Sequence, residues 1–440
     1  MVKYYSKAEL QQKGRDMKRS EVPVEQTWDL SLIYRSDDDA WSDAEMIRKI
    51  TERLEKKYKG NLTDADSIID CLHLYERLRE LADNVSIYFG LKVETDYSDA
   101  GNAASLNKAE SMLTECLAKT TFIENEIIQA GEDVIKEAVE KGGSVSVYLK
   151  KILKGKPHKL STETETVLAS LSDFMETPYQ VYNQAKLADM HFDDFTVNGK
   201  QYPLTYSLFE DNYEYEKDTD VRRAAFRHFS DKLKAYENVT AAAYNAYVLR
   251  DKRLSDARGF DNVFEYLLFD EDVTRDMYDR QIDVIMEKLA PHMRKYAGLI
   301  KKVHGLDRIT YADLKLPVDP EYSPEVSIDE AERYISDGLS VMGDEYISMI
   351  RKAFRNRWID TAANDGKCTG GFCESPYGVP ASFILLTFQH RMADVFTLAH
   401  ELGHAGHFMY CNEAQGYFDV QVPMYYVESP STINELLMTG

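Results

Sequence analysis

A mostly helical fold with one small sheet beside a histidine cluster is what this 440-residue sequence predicts. Three observations carry that expectation. Apolar residues recur three and four apart over most of the chain, helix-start residues mark legible boundaries, and strand signals are confined to two short places. The stretch AWSDAEMIRKITERLEKKY shows the helical spacing, with Ser36 and the acidic run Asp37 to Asp39 where a cap and a first turn would use them. Thr162 with Glu165 and Ser327 with Glu330 fit reciprocal capping boxes, and Pro157 and Pro324 lie just upstream. LKLPVDPEYSPEV carries three prolines and reads as a loop between helices. In FDDFTVNGKQYPLTYS, Asn198-Gly199 sits between alternating residues and predicts a hairpin. ASFILLTF, Ala381 to Phe388, is an apolar run after a Gly/Pro-rich segment and reads as a strand.

The length exceeds a usual single domain, so two regions are expected: a helical one over 1–195 and a second over 196–440 that holds the histidines. The charge balance of 53 basic against 75 acidic residues, net −22, argues against nucleic acid or an anionic membrane as partner. The five cysteines are odd in number and thinly spread, which fits reduced thiols in a cytoplasm better than a disulfide framework. MVKYYSKAELQQKGRDMKRS lacks the apolar core of a signal peptide, and no run of about 18 apolar residues occurs. The expected location is cytoplasmic.

DVFTLAHELGHAGHFMY places three of the chain's 10 histidines within eight positions. HELGH is an H-E-x-x-H motif, and histidines four apart on a helix project from one face about one turn apart, near enough to share one zinc ion. A hydrolytic zinc site usually has three protein ligands, so a carboxylate is needed downstream. Among Glu413, Asp419, Glu428 and Glu435, the first two lie too near the end of the same helix to turn back. Glu428 opens a new helical segment, VESPSTINELLMTG, and is the best third ligand beside His400 and His404. Glu435 lies two turns further, suited to accept a hydrogen bond from a ligand histidine or to face solvent. His407 is two turns beyond His400 and reads as structural or substrate-side. Glu401, between the ligands, is placed to act as general base toward water at the metal in amide hydrolysis. Gly403 and Gly406 each cost a helix interior about 1 kcal/mol, which close approach of a second element would explain. Cys368 and Cys373 offer only a weak pair for a structural zinc site.

GKCTGGFCESPYGVPASFILLTFQHRMADVFTLAHELGHAGH followed by VESPSTINE resembles the catalytic core of the oligoendopeptidase F group, within the thimet oligopeptidase family of zinc peptidases. TWDLSLIYRSDDDAW, KILKGKPHKLSTETETVLASL and DARGFDNVFEYLL extend the likeness over nearly the whole chain. The resemblance implies one zinc ion held by His400, His404 and Glu428, with Glu401 as base. It implies a helical clamshell whose deep channel admits short unfolded peptides, and a catalytic zinc-peptidase domain over 196–440. Phe383, Leu385 and Thr387 would then lie on a channel-floor strand whose edge pairs with substrate. Family members also carry a later histidine and tyrosine, whereas this sequence stops at NELLMTG. The domain is therefore expected to be incomplete at its C-terminus, with the missing segment a possible separate chain and weak or no turnover. A non-catalytic peptide-binding fragment or inactive remnant is the alternative.

Overall fold

The computed structural model describes residues 17–319, 322 and 324–439, and these are mainly helical. The opening over 1–16, on which most of the signal-peptide reading falls, and Pro320 of the proline-rich loop lie outside the described residues. Two compact units emerge, one from 1–157 together with 324–440 and the other from 158–323.

The first unit starts with α1 (Asp37–Tyr58), α2 (Ala65–Glu94), α3 (Ala100–Ala118) and α4 (Ser146–Gly155). Ser36 caps α1 as expected, its Oγ accepting from the Asp39 amide at 3.3 Å. The amphipathic spacing buries Leu54, Leu72, Phe89 and Ile127 completely in one core, and that burial drives the assembly of these helices.

In the second unit, α5 (Thr162–Ser170) corrects the expected cap by one residue. Ser161 Oγ, not Thr162, takes the cap position and accepts from the Thr164 amide at 3.3 Å. Glu165 accepts from the Leu160 amide at 3.1 Å and is clasped by both terminal nitrogens of Arg258 at 2.8 and 3.0 Å. β1 (Phe195–Val197) and β2 (Lys200–Tyr202) form the expected antiparallel hairpin. Asn198 and Gly199 turn it with φ of 51° and 78°, the left-handed region that these two residue types enter most cheaply. On α6 (Thr219–Ala235), Arg222 and Arg223 converge on Asp313 at 2.6 and 3.0 Å.

The first unit resumes with α7 (Ile328–Gly338) and α8 (Asp344–Arg355), then β3 (Ile359–Asp360), β4 (Phe372–Glu374) and β5 (Phe383–Leu385), then α9 (Met392–Ala414) and α10 (Met424–Met438). Ser327 and Glu330 form the expected capping box at α7. The strand order is β3-β5-β4, with β5 parallel to β3 and antiparallel to β4. The run ASFILLTF is thus the middle of the sheet, with regular pairing shorter than the run itself. Both of its edges are taken. Phe383 and Leu385 are fully buried in the core around Trp28, Trp358 and Leu398, so the strand expected to offer an edge to substrate instead builds the floor beneath α9. A two-sided apolar run is what a central strand requires. Asp360 at the end of β3 is also fully buried, and Lys367 and Arg19 neutralise it there.

Candidate metal centre

α9 lies across the sheet with its apolar face, Val395, Leu398, Ala399 and Leu402, packed into the same core. That fixes the helix rotation, and the four-residue spacing puts the His400 and His404 rings together, Nε2 to Nε2 at 3.2 Å. The opposing wall is α10, which begins at Met424 rather than at Glu428 and holds Pro430 inside it.

The two helices meet at backbone distance. A Cβ on Gly403 would lie 2.6 Å from Ser431 Cα and 2.9 Å from the Pro430 carbonyl, and one on Gly406 would lie 2.6 Å from the Tyr346 ring. The glycines expected to admit a close neighbour do so. Asn434 locks the approach: its amide donates to the Ala399 carbonyl and to the Tyr346 hydroxyl, both at 2.8 Å. Neither Asn434 nor Tyr346 stood out in the sequence, because nothing local distinguishes them. Gly406, which faces Tyr346, and Gly403, which faces the α10 backbone at Ser431, were the visible trace.

This close packing brings Glu428 Oε2 to 3.1 Å from His400 Nε2 and 3.3 Å from His404 Nε2, with Ser431 Oγ donating to the same oxygen at 3.0 Å. His400, His404 and Glu428 make up the one metal-capable cluster of His, Cys, Asp and Glu found among the described residues. The separations fit a small divalent cation. Ligands at about 2.0–2.1 Å from a tetrahedral ion stand roughly 3.3 Å from one another, and three acceptor atoms this close repel unless a cation lies between them. Glu435 Oε1 is 2.6 Å from His400 Nδ1, on the far side of that ring, where it fixes the tautomer that leaves Nε2 free. His407 is not in the cluster. Its Nδ1 is buried without a partner, and its ring lies beside Phe408, which stacks on His404.

Glu401, between the two histidines in the motif, is 6% exposed. Burial pushes its carboxyl up to about 7, the Glu428 charge adds to the rise, and His400 pulls it back. Gly371, just before β4, stands against it: a Cβ there would be 3.2 Å from Glu401 Oε1. All five cysteines are free thiols, and the Cys368 and Cys373 pair belongs to no metal-capable cluster among the described residues. Thr387 is half-buried, two residues past the end of β5, between Leu386 and Phe388, whose amides donate to the Asp360 and Thr361 carbonyls.

Two family profiles match, Peptidase family M3 over residues 212–440 and Oligopeptidase F over residues 126–192. The chain belongs to peptidase family M3. This M3 chain is 28% identical over 426 residues to Oligopeptidase PepF of Bacillus subtilis, covering 96% of the chain and 63% of that relative. It is 25% identical to an oligoendopeptidase F homolog of Lactococcus lactis subsp. lactis, over 96% of the chain and 70% of the relative. The solved oligoendopeptidase-F of Enterococcus faecium shares the fold, with a TM-score of 0.60, 20% identity, and coverage of 92% of this chain and 67% of that one. A structure from Chlamydophila abortus described as a peptidase superposes with a TM-score of 0.81 at 20% identity, over 96% and 71% of the two chains. The M3 chain therefore spans about two thirds of the length of these relatives. No helix among its described residues is long and apolar enough to cross a membrane.

Proposed function

We propose that this M3 chain carries the zinc site and general base of a cytoplasmic oligoendopeptidase that hydrolyses short unfolded peptides. The supporting observation is the convergence of His400 Nε2, His404 Nε2 and Glu428 Oε2 within 3.1 to 3.3 Å, beside a buried, upshifted Glu401. Membership of the family and the peptidase names of its relatives point the same way. In this reading the catalytic part is 196–440, although the compact units divide the chain elsewhere.

One zinc ion would be held by His400, His404 and Glu428, and when bound it supplies a Lewis acid for the peptide carbonyl and for water. The chain's own residues do the rest. Glu435 orients His400, and Ser431 steadies the Glu428 carboxylate. A carboxyl with affinity for protons near neutrality can take one from water and return it to the departing amine, which is the task assigned to Glu401. Gly371, lacking a side chain, leaves that carboxylate uncrowded: a Cβ there would be 3.2 Å from Oε1.

The test is a quenched fluorescent peptide combined with metal analysis of the same sample. Cleavage that needs stoichiometric zinc and is lost in Glu401→Gln with zinc retained supports the reading. Zinc-independent cleavage, or full activity in Glu401→Gln, sinks it.

A further inference from the structure

Beside the metal centre, and inside the same compact unit, lies a cavity of about 460 Å³ that the proposed mechanism does not use. It begins at Phe408, whose ring centroid is 5.7 Å from that of His404. The rings of Tyr75, Tyr148 and Phe418 form one wall, with centroids 4.6 to 6.2 Å apart. Four charged side chains line it, and three have protein partners. Arg79 and Asp83, one turn apart on α2, offset each other, and Asp83 also accepts the Tyr417 hydroxyl proton. Lys151 Nζ donates to the Phe418 carbonyl at 3.0 Å. Glu374, on β4, has no hydrogen bond or ion pair among the described residues although it is largely covered, and burial with the nearby Asp83 pushes its carboxyl up. A carboxylate so placed lacks a cation.

We propose that Glu374 forms the floor of a subsite for a cationic group of the peptide, either a lysine or arginine side chain or a free N-terminal ammonium. The proposal rests on the peptidase reading. β4 is an edge of its sheet, and among the described residues no strand pairs with its outer side, the position an added extended peptide would take. Gly371 stands against Glu401, and Glu374 is three residues further along, about 10 Å at strand rise. A peptide paired there would set a side chain two or three positions from the reacting carbonyl over Glu374. The aromatic wall would cover an aliphatic stem and face its charged head with π-electrons.

Peptides identical except for lysine, norleucine or glutamate two and three positions from the cleaved bond, each with free and acetylated N-termini, test this. Cleavage is measured as kcat/KM on the wild-type chain, and binding as Kd on Glu401→Gln. Lysine is expected to be favoured over norleucine by about tenfold, with glutamate weakest. Glu374→Gln should erase that order and leave the norleucine Kd unchanged, which also controls for folding. Preference lost on acetylation instead of on lysine replacement assigns the subsite to the N-terminal ammonium. Equal affinities on the wild-type floor, or an order that survives Glu374→Gln, overturns the proposal. A lysine preference in Kd with no cleavage by the wild-type chain would refute the peptidase reading and leave the subsite standing.

Discussion

At the scale of single residues, the weight falls on Glu401 and Glu435. Replacing Glu401 with Gln keeps the size and removes the proton acceptor, so peptide turnover should fall by about 10² to 10⁴ while bound zinc, measured by elemental analysis, stays near one per chain. Replacing Glu435 with Gln weakens the hydrogen bond behind His400. Zinc affinity should drop by about 10- to 100-fold in a chelator competition, with the fold intact by circular dichroism. Helical periodicity alone puts His400 with His404, and Glu428 with Glu435, on shared helix faces, whereas bringing the two pairs together was expected from chain reach and from the family resemblance. Asn434 and Tyr346 were not legible in the sequence, since their partnership crosses 88 residues and exists only once two helices have docked. Phe383 and Leu385 show the opposite: the family resemblance turned the edge of their strand to substrate, whereas a run apolar on both faces already fits the middle of a sheet.

At the scale of elements, the junction of α9 and α10 makes the metal centre possible. Gly403→Ala would drive a methyl group into the Ser431 backbone, where no side-chain rotation relieves it. A loss of about 1–3 kcal/mol is expected. Because Glu428 and Ser431 share one turn, zinc should also lose most of its stabilising effect in thermal melts of this variant. Gly406→Ala meets a tyrosine ring instead of backbone and should cost less. The capped helix starts at Ser36, Ser161 and Ser327 and the hairpin were readable to within one residue, since those interactions are local; α10, with no side-chain cap, starts four residues before Glu428. Strand order was not, because β3 and β5 pair across intervening chain that no local pattern connects.

At the scale of the whole molecule, acid should weaken the unit formed by 158–323 through Asp313. Burial alone would raise the Asp313 carboxyl, but hydrogen bonds from Arg223, Arg222 and Thr310 outweigh it and hold it down at about 2. A carboxyl depressed in the folded state stabilises above its unfolded value and loses that contribution as pH falls through the folded one. Between about pH 4 and pH 2 some 1 kcal/mol should therefore disappear, after allowance for solvent screening at the partly exposed Arg223. Urea midpoints across that range should be flatter in Asp313→Asn than in the wild-type chain. The other unit raises a matter of timing. Its helices from 37–155 share one compact body with a sheet and four helices encoded after residue 324, and Trp28 packs on Phe383. During synthesis at about 5–20 residues per second, α1 to α4 emerge while their partners are still about 280 residues from completion, a delay of roughly 14 to 56 s. The pocket between α9 and α10 thus cannot close until that later stretch has been made, and a nascent chain stalled in that interval would be a client for chaperones before it could capture metal.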